Sequence, residues 1–399
     1  MKLYFIGGLF TQSNHQFIQN NSIGLIQNAA DALQHAYIDG LAKNLGPECI
    51  EVINLPYVGS FPKRFKKLWI KSASDTLKSG VLVSTLGFIN APIIKHINRI
   101  VSSYYAIKNR ITSEKQDHIY IVCYSMHLPF LISSYLASKL NKNIHTCLLV
   151  LDLPEFMSDG SSRLTNFTRF LISRMSYSLA RKFDFLVLIT EQMKERFPNQ
   201  SSIVIEGMCT PFVYPGVLQD QENKRYILYS GTLDERYGIK ELISGFNNAN
   251  IDDLILMICG DGDCRDFIEH YANSNSNIKY LGQLERTHVC QLQKHAALLI
   301  NPRRNVGNFT KFSFPSKIIE YMYSGTPVLM YRLDGVPSEY FNYCIIIKDD
   351  PCGIERAIVA AMILPEYELK ALGARAAAFV LDKKNSYVQT RKLVNFFIK

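Results

Sequence analysis

The stretch LLINPRRNVGNFTKFSFPSKIIEYMYSGTPVLMY, residues 298–331, holds the architecture of the chain in miniature. Its first residues complete an apolar run, Ala297–Asn301, of the length of a buried strand, and the run stops at Asn301-Pro302-Arg303, where proline removes a backbone donor. A polar loop crosses to Ser313-Phe314-Pro315-Ser316, the composition of a helix start, and a helix over Ser316–Ser324 follows with Glu320 one turn inside it. Gly325-Thr326-Pro327 closes that helix, and a second apolar run, Val328–Tyr331, begins at once. Strand, helix and strand in that order make a parallel α/β unit.

The alternation extends in both directions. Strands are predicted at Tyr226–Ser230, Leu254–Cys259, Ile278–Leu281 and Cys344–Ile347, with helices at Lys240–Asn247 and Asp263–Ala272. The first half repeats the pattern with strands at Leu3–Ile6, Glu51–Leu55, Gly80–Ser84, Ile119–Tyr124, Thr146–Leu151 and Phe185–Ile189 and a clear helix at Ile26–Leu41. Between the halves, Thr210–Lys224 has two prolines, a glycine and a polar run, which is linker composition. A chain of 399 residues is long for one core and suits two. The predicted fold is therefore α/β, with two doubly wound Rossmann-like domains, 1–210 and 211–399, facing a central cleft. A C-terminal helix over 385–399 is expected to pack back on the first domain. Sheets of this kind take ligands at the carboxyl ends of their strands.

Hydrophobic residues at 47% and charged residues at 20% exclude disorder, collagen and coiled coil. The nine cysteines are scattered, mostly inside apolar runs, and form no CxxC or zinc framework, so buried free thiols are expected. No stretch reaches the roughly 18 apolar residues of a membrane span. The opening MKLYFIGGLF reads as a first strand of a cytosolic protein, because the polar TQSNHQ after it offers no small-residue cleavage site.

The net charge of +9 is unevenly placed. Residues 1–210 hold 22 basic against 14 acidic side chains, whereas the remainder is nearly balanced. The window 61–115 has 11 Lys and Arg with only Asp75 and Glu114 as acids. Within it FPKRFKKLWIK, 61–71, interleaves Lys63, Arg64, Lys66, Lys67 and Lys71 with Phe61, Phe65, Leu68, Ile70 and the only tryptophan, Trp69. That composition suits a segment lying on an anionic membrane surface. A solvated charged helix is the plainer alternative. No RNP, KH, helix-turn-helix or zinc pattern accompanies it, and no nucleic-acid partner is expected.

Three strand ends in the second half carry candidate chemistry. In YSGTLDERYGIKELISGF, 229–246, a strand ends at Gly231 and Gly238 precedes an amphipathic helix, an arrangement that lets backbone amides approach a phosphate. In ICGDGDC, 258–264, Gly260 and Gly262 suit close backbone approach to a planar ligand, and the aspartates suit a helix cap better than a metal. In 298–331, Ser316 as cap would leave free amides for an anion, and Glu320 could accept hydrogen bonds from paired ribose hydroxyls. In the first half Asp152 ends the strand of CLLVLDLPEF. It could serve as a polar or basic group toward a ligand hydroxyl, or simply cap the turn at Pro154. Glu155 is a further carboxylate in reach. His127, in YSMHLPF at another strand end, is placed in a loop opening on the cleft.

The order YSGTL…YGI, ICGDG and NPR…FPSKIIEYMYSGTPVL resembles the donor domain of family-4 glycosyltransferases of the GT-B fold, retaining enzymes that use nucleotide sugars. FPSKIIEYM…GTPVL, with FIGGLF, IQNAADALQHAYIDGL, YSMHLPF and LVLDLPEFM, is similar to the bacterial subgroup that builds capsule or O-antigen repeat units. The resemblance implies that Glu320, the second glutamate of an E-x7-E motif, binds the ribose. It also implies that Gly8 faces the diphosphate, that Gly260 and Gly262 form a turn near the nucleotide, and that Lys317 with the amides of Ser316 and Ile318 sits against the phosphates.

The departures are as informative. The first glutamate of the motif falls on Phe312, and the family's phosphate-binding Arg and Lys fall on Thr232 and Tyr237. Arg236, Arg303, Arg304 and Lys317 are the available replacements. A reaction-centre histidine of the family falls on Asp152 or Leu151. The implied activity is retaining transfer of a sugar from a nucleotide diphosphate sugar, UDP or GDP type, to a lipid-linked saccharide in cell-surface polysaccharide assembly. Gly231, Thr232, Arg236 and Arg303 would join the donor site, and Asp152, His127 and Glu320 the catalytic set. Neither a metal nor a cofactor is required. The expected location is cytoplasmic, peripheral on the inner face of the membrane. A nucleotide-sugar 2-epimerase and a non-catalytic binding subunit are the alternatives on the same fold.

Overall fold

In the computed structural model the described residues are 1–24, 26–113, 118–156, 163–211, 225–307 and 309–398, with the side chains of 156 and 163–166 excepted. Most of the proline-containing stretch Thr210–Lys224, at 212–224, lies outside them. The chain divides into two compact units, Met1–Met208 with Ser386–Lys399, and Cys209–Asn385.

The first unit runs β1 (Lys2–Gly7), α1 (His15–Asn21), α2 (Asn28–Leu45), β2 (Ile50–Asn54), β3 (Trp69–Ile70), β4 (Ala73–Thr76), β5 (Leu82–Thr85), β6 (Phe88–Ile89), α3 (Pro92–Ser113), β7 (Ile119–Tyr124), α4 (Leu128–Ser138), β8 (Ile144–Val150), α5 (Arg163–Ala180), β9 (Phe185–Leu188) and β10 (Ser202–Val204). Its main sheet has the order β10-β9-β8-β7-β1-β2-β5-β4. β1 pairs in parallel with both β2 and β7, Phe5 lying between Val52 and Val122. β1 and β7 are buried almost end to end, as a parallel strand covered on both faces must be. β4, polar and half-exposed, closes one edge antiparallel to β5.

The second unit runs β11 (Arg225–Ser230), α6 (Ile239–Ala249), β12 (Leu254–Cys259), α7 (Arg265–Ser274), β13 (Ile278–Tyr280), α8 (Arg286–His295), β14 (Leu298–Asn301), α9 (Lys317–Tyr323), β15 (Val328–Tyr331), β16 (Ile345–Ile347), α10 (Gly353–Ile363) and α11 (Glu366–Lys383). Its six strands, all parallel, follow the order β13-β12-β11-β14-β15-β16. Counted within the unit this is 3-2-1-4-5-6, the dinucleotide-fold order, whose direction reverses between β11 and β14. The last helix, α12 (Ser386–Ile398), belongs to the first unit. Asn44 on α2 donates to the Tyr387 carbonyl at 3.0 Å, and the Tyr120 hydroxyl donates to the Phe397 carbonyl at 3.0 Å.

The segment 61–71 is not a helix. It forms a turn and then β3, which pairs antiparallel with β6. Phe65 and Ile70 turn into the core, while Lys63, Arg64, Lys66 and Lys67 stay in water and Trp69 is 62% exposed.

Candidate active site

The reversal of strand order in the second unit brings the ends of β11 and β14 together, and the residues there are organised around Glu320. Gln293, on α8, is buried and spends both amide protons. It donates to Ser230 Oγ, the last residue of β11, at 3.0 Å and to Glu320 Oε1 at 2.7 Å. Lys317 Nζ donates to the same carboxylate oxygen at 2.9 Å. The Tyr321 hydroxyl receives the Ser230 amide at 2.8 Å and donates to the Ser230 carbonyl at 3.1 Å, tying α9 to the strand end. Burial pushes the Glu320 carboxyl up, but the Lys317 ammonium and the Gln293 amide outweigh it, so Glu320 stays below the ordinary carboxylate range. An ionised, half-buried acceptor on a locked helix turn is the result. Gln293 escaped the sequence reading because it stands 27 positions from Glu320 in an undistinguished helix.

The glycine turns pack closely on the protein's own backbone. Gly260, at φ +144, and Gly262, at φ +156, lie against the turn after β11. A Cβ on Gly260 would strike the Gly231 carbonyl, and one on Gly262 would come within 2.6 Å of the Leu233 carbonyl. Both positions therefore require glycine for the turn after β11 to lie against them. The aspartates of the DGD turn do not cap α7 with their side chains: Cys264 is its N-cap residue, without a side-chain bond, and Asp261 accepts from the Gly262 amide at 3.0 Å. Among the described residues no group of three or more His, Cys, Asp or Glu is arranged to hold a metal.

The expected anion site at the head of α9 is also altered. Ser316 is the N-cap residue but makes no side-chain cap bond, and the Ile318 amide is taken by the Pro315 carbonyl at 2.9 Å. The candidate cations separate into two kinds. Arg236 forks onto Asp234, with Nη2–Oδ2 at 2.5 Å, and Arg304 pairs with Asp349. Lys317 is committed to Glu320. Arg303 differs: it is buried, makes no ion pair among the described residues, donates to Ser313 Oγ at 2.6 Å and leaves Nε without a partner. Its guanidinium lies over Phe309 at 4.4 Å and Tyr237 at 5.2 Å. Tyr237 and Phe309 thus form the apolar bed of that cation. Thr232 is exposed and accepts the Tyr229 hydroxyl at its carbonyl, 2.7 Å away. Phe312 is buried.

In the first unit the order reverses between β1 and β7. Gly8 follows β1, and its amide is taken by Gln34 Oε1 at 2.7 Å; a Cβ there would stand 2.8 Å from the Leu55 carbonyl and the Tyr57 ring. After β7 the chain turns at Ser125, φ +66, and His127 becomes the N-cap residue of α4 without a side-chain cap bond. The His127 ring meets Tyr57 edge-on at 5.7 Å and Phe130 at 4.7 Å, and its Nδ1 is sealed from water without a partner. Burial, then the charges of Arg99, His96 and Lys95, hold it well below the ordinary histidine range. Asp152, just past β8, is exposed at the surface, yet desolvation by the surrounding protein pushes its carboxyl up to about 6. Glu155 accepts from the Tyr177 hydroxyl at 2.8 Å and pairs with Arg196 at 3.4 Å, so its carboxylate is already engaged.

Residues 214–345, all within the second unit, match the family model described as "Glycosyl transferases group 1". No curated protein matches the chain. Among solved structures, sucrose-phosphate synthase from Thermosynechococcus elongatus aligns with a TM-score of 0.64 at 14% identity, over 100% of this chain and 99% of that one. A structure described as trehalose-6-phosphate from E. coli bound with UDP-2-fluoro glucose gives 0.67 at 10% identity over 99% of both. The α,α-trehalose 6-phosphate synthase from Burkholderia multivorans gives 0.62 at 10% identity, over 99% of this chain and 95% of that one. Identities this low carry the fold alone. The fold and the matched region together define a glycosyltransferase of the GT-B class.

Proposed function

We propose that the chain is a retaining, family-4-type enzyme that transfers a sugar from a UDP or GDP sugar to a lipid-linked saccharide during assembly of a capsule or O-antigen repeat unit. The carrying observation is the Ser230–Gln293–Glu320–Lys317 chain at the switch point of the second unit, with the buried Arg303, whose Nε has no partner, in the same unit. An ionised carboxylate held from behind by two donors suits a pair of ribose hydroxyls. A buried guanidinium in no ion pair among the described residues, with Nε left over, suits the donor diphosphate. The bond from the anomeric carbon to the diphosphate breaks and one to the acceptor oxygen forms on the same face of the sugar, while the acceptor hydroxyl passes its proton to the departing diphosphate oxygen. Asp152, with its raised pKa, and His127, kept neutral, are the polar groups of the first unit assigned to the acceptor. The donor's likeness is to the neighbour bound with UDP-2-fluoro glucose.

Acceptor chemistry is inferred from surface. No helix among the described residues is long and apolar enough to cross a membrane. Yet α3 exposes Ile93, Ile94, Ile97 and Val101, and α5 exposes Phe167, Phe170, Leu171 and Met175. Neither helix contains an acid. With Lys63, Arg64, Lys66, Lys67 and Trp69 these faces favour a peripheral position on the inner, anionic leaflet facing the cytoplasm. The test is incubation of the chain with UDP and GDP sugars and vesicles carrying a polyprenyl-diphosphate saccharide. Release of nucleoside diphosphate with a lengthened lipid-linked saccharide is expected, and lost in folded Glu320→Ala. A folded wild-type chain that lengthens no acceptor overturns the proposal.

A further inference from the structure

Helix α3 is built inside out at its amino-terminal half. Lys95 and Arg99, four residues apart, point inward at 8% and 2% exposure, while Ile93 at 77% and Ile97 at 55% point into water. Each face alone is unfavourable, since a buried cation loses hydration and an exposed isoleucine gains nothing from folding. The inward cations find only partial compensation. Lys95 Nζ donates to the Val58 carbonyl at 3.3 Å, and Arg99 Nη2 to the Pro56 carbonyl at 2.6 Å, with its guanidinium 4.6 Å over the Phe88 ring. Arg99 Nε is buried without a partner, and among the described residues neither cation makes an ion pair. Burial, Arg99 and Arg64 lower Lys95 to about 8, with no carboxylate among the charges that act on it.

The cluster is at the ligand-binding edge of its sheet. Pro56 and Val58 lie in the loop that leaves the carboxyl end of β2. His127, at the carboxyl end of β7, stands 6.0 Å from the ring of the exposed His96 and turns its unpartnered Nδ1 inward. Four nitrogen-bearing side chains therefore converge on one place that supplies no anion.

We propose that Lys95 and Arg99, walled by His96 and His127, form a phosphoryl-binding site in the first unit that takes a phosphate or diphosphate group of the acceptor. The site deepens the transferase reading and rests on it for the word acceptor, though not for the anion. A dianion here would accept from Lys95 Nζ and Arg99 Nε and complete the charge that α3 leaves unbalanced. The exposed isoleucines on the outer side of the same helix are a separate apolar face.

The experiment is calorimetric titration of the full chain with inorganic pyrophosphate while saturating nucleoside diphosphate occupies the donor site. Wild type is expected to bind, and Lys95→Met, which keeps the aliphatic stem, to bind roughly tenfold more weakly or worse. Because Arg99→Gln could fail to fold, thermal melting provides the second reading. In anion-free buffer Lys95→Met should melt no lower than wild type, since it removes an uncompensated charge, and it should lose the melting gain that pyrophosphate gives wild type. A variant that melts lower and keeps that gain marks Lys95 as purely structural and overturns the site, as does equal binding by both chains. Displacement of pyrophosphate by a hexose phosphate in solution, or by phosphatidylcholine vesicles doped with a polyprenyl phosphate, tells a soluble from a lipid-borne group; displacement by neither overturns it. Sugar transfer by a chain whose Lys95→Met variant binds like wild type would sink the site alone. Pyrophosphate binding lost in that variant of a chain that transfers nothing would sink the transferase reading alone.

Discussion

Replacing Gln293 by methionine isolates what holds Glu320. The side chain is 1% exposed and donates twice, to Ser230 Oγ at 3.0 Å and to Glu320 Oε1 at 2.7 Å. Methionine fills nearly the same volume, so the cavity contribution is small and the loss is that of two hydrogen bonds. A bond to a charged acceptor contributes about 1.5–3 kcal/mol and a neutral one about 0.5–1.5 kcal/mol, so the sum is about 2–4.5 kcal/mol. For a unit of this size that corresponds to a melting temperature lower by roughly 5–15 °C. The effect should depend on pH with a defined sign. The folded state holds the Glu320 carboxyl below its ordinary value, so this part of the stability is complete above the unfolded carboxylate pKa of about 4.3 and is lost as pH falls through the folded value. Gln293→Met removes one donor that favours the charged form, and the gap between variant and wild type must narrow in acid. Scanning calorimetry of both chains from neutral pH to about pH 3.5 measures it, and the double variant with Glu320→Gln gives the coupling, expected at about 1–2 kcal/mol. A melting difference below about 1 °C, or one that is the same at both ends of the pH range, would refute the assignment of Gln293 as the support of Glu320.

Gly260→Ala places a methyl on the Gly231 carbonyl at a left-handed φ, so it should cost about 3 kcal/mol or more and yield little soluble protein, as expression and melting would report. His127 is kept neutral in the folded chain, so its contribution is present above the unfolded histidine pKa of about 6.5 and fades as pH drops below it. His127→Phe, which suits the Tyr57 and Phe130 wall, should flatten that limb of the first unit's stability curve, and an unchanged limb would exclude His127 as its source. Ile97→Glu together with Phe170→Glu should leave the melting temperature within about 2 °C, because both side chains are already in water, while weakening sedimentation with anionic vesicles by about tenfold. Undiminished sedimentation would remove the two helices from the membrane surface.

What could be read in advance follows from how each residue earns its place. Buried parallel strands must be apolar on both faces, so runs such as Ile119–Tyr124 and Leu254–Cys259 are legible at their full length. The half-buried setting of Glu320 was legible from local context, a carboxylate among apolar neighbours at a helix start. Gln293 was not, because an amide acquires meaning only when tertiary folding sets it beside a carboxylate 27 positions away. Glycines mark close approach without saying of what; at Gly260 and Gly262 the neighbour is the turn after β11. Charge counts fail in the same manner. The basic window 61–115 suggests one exposed basic face for an anionic partner, and Lys63, Lys66 and Lys67 are exposed, but Lys95 and Arg99 from the same window are buried. A periodicity argument applied to α3 would turn its isoleucines inward and its cations outward, the reverse of what the loop at Pro56–Val58 imposes by offering two carbonyls to the helix. Violation of the usual pattern on both faces of one helix is costly in the isolated chain, and on the proposed reading an anion inside and an apolar phase outside would relieve the two together. The two proposals are separable on this helix, since Lys95→Met should weaken phosphoryl binding and Ile97→Glu membrane binding, and loss of both functions in either variant alone would link them through α3.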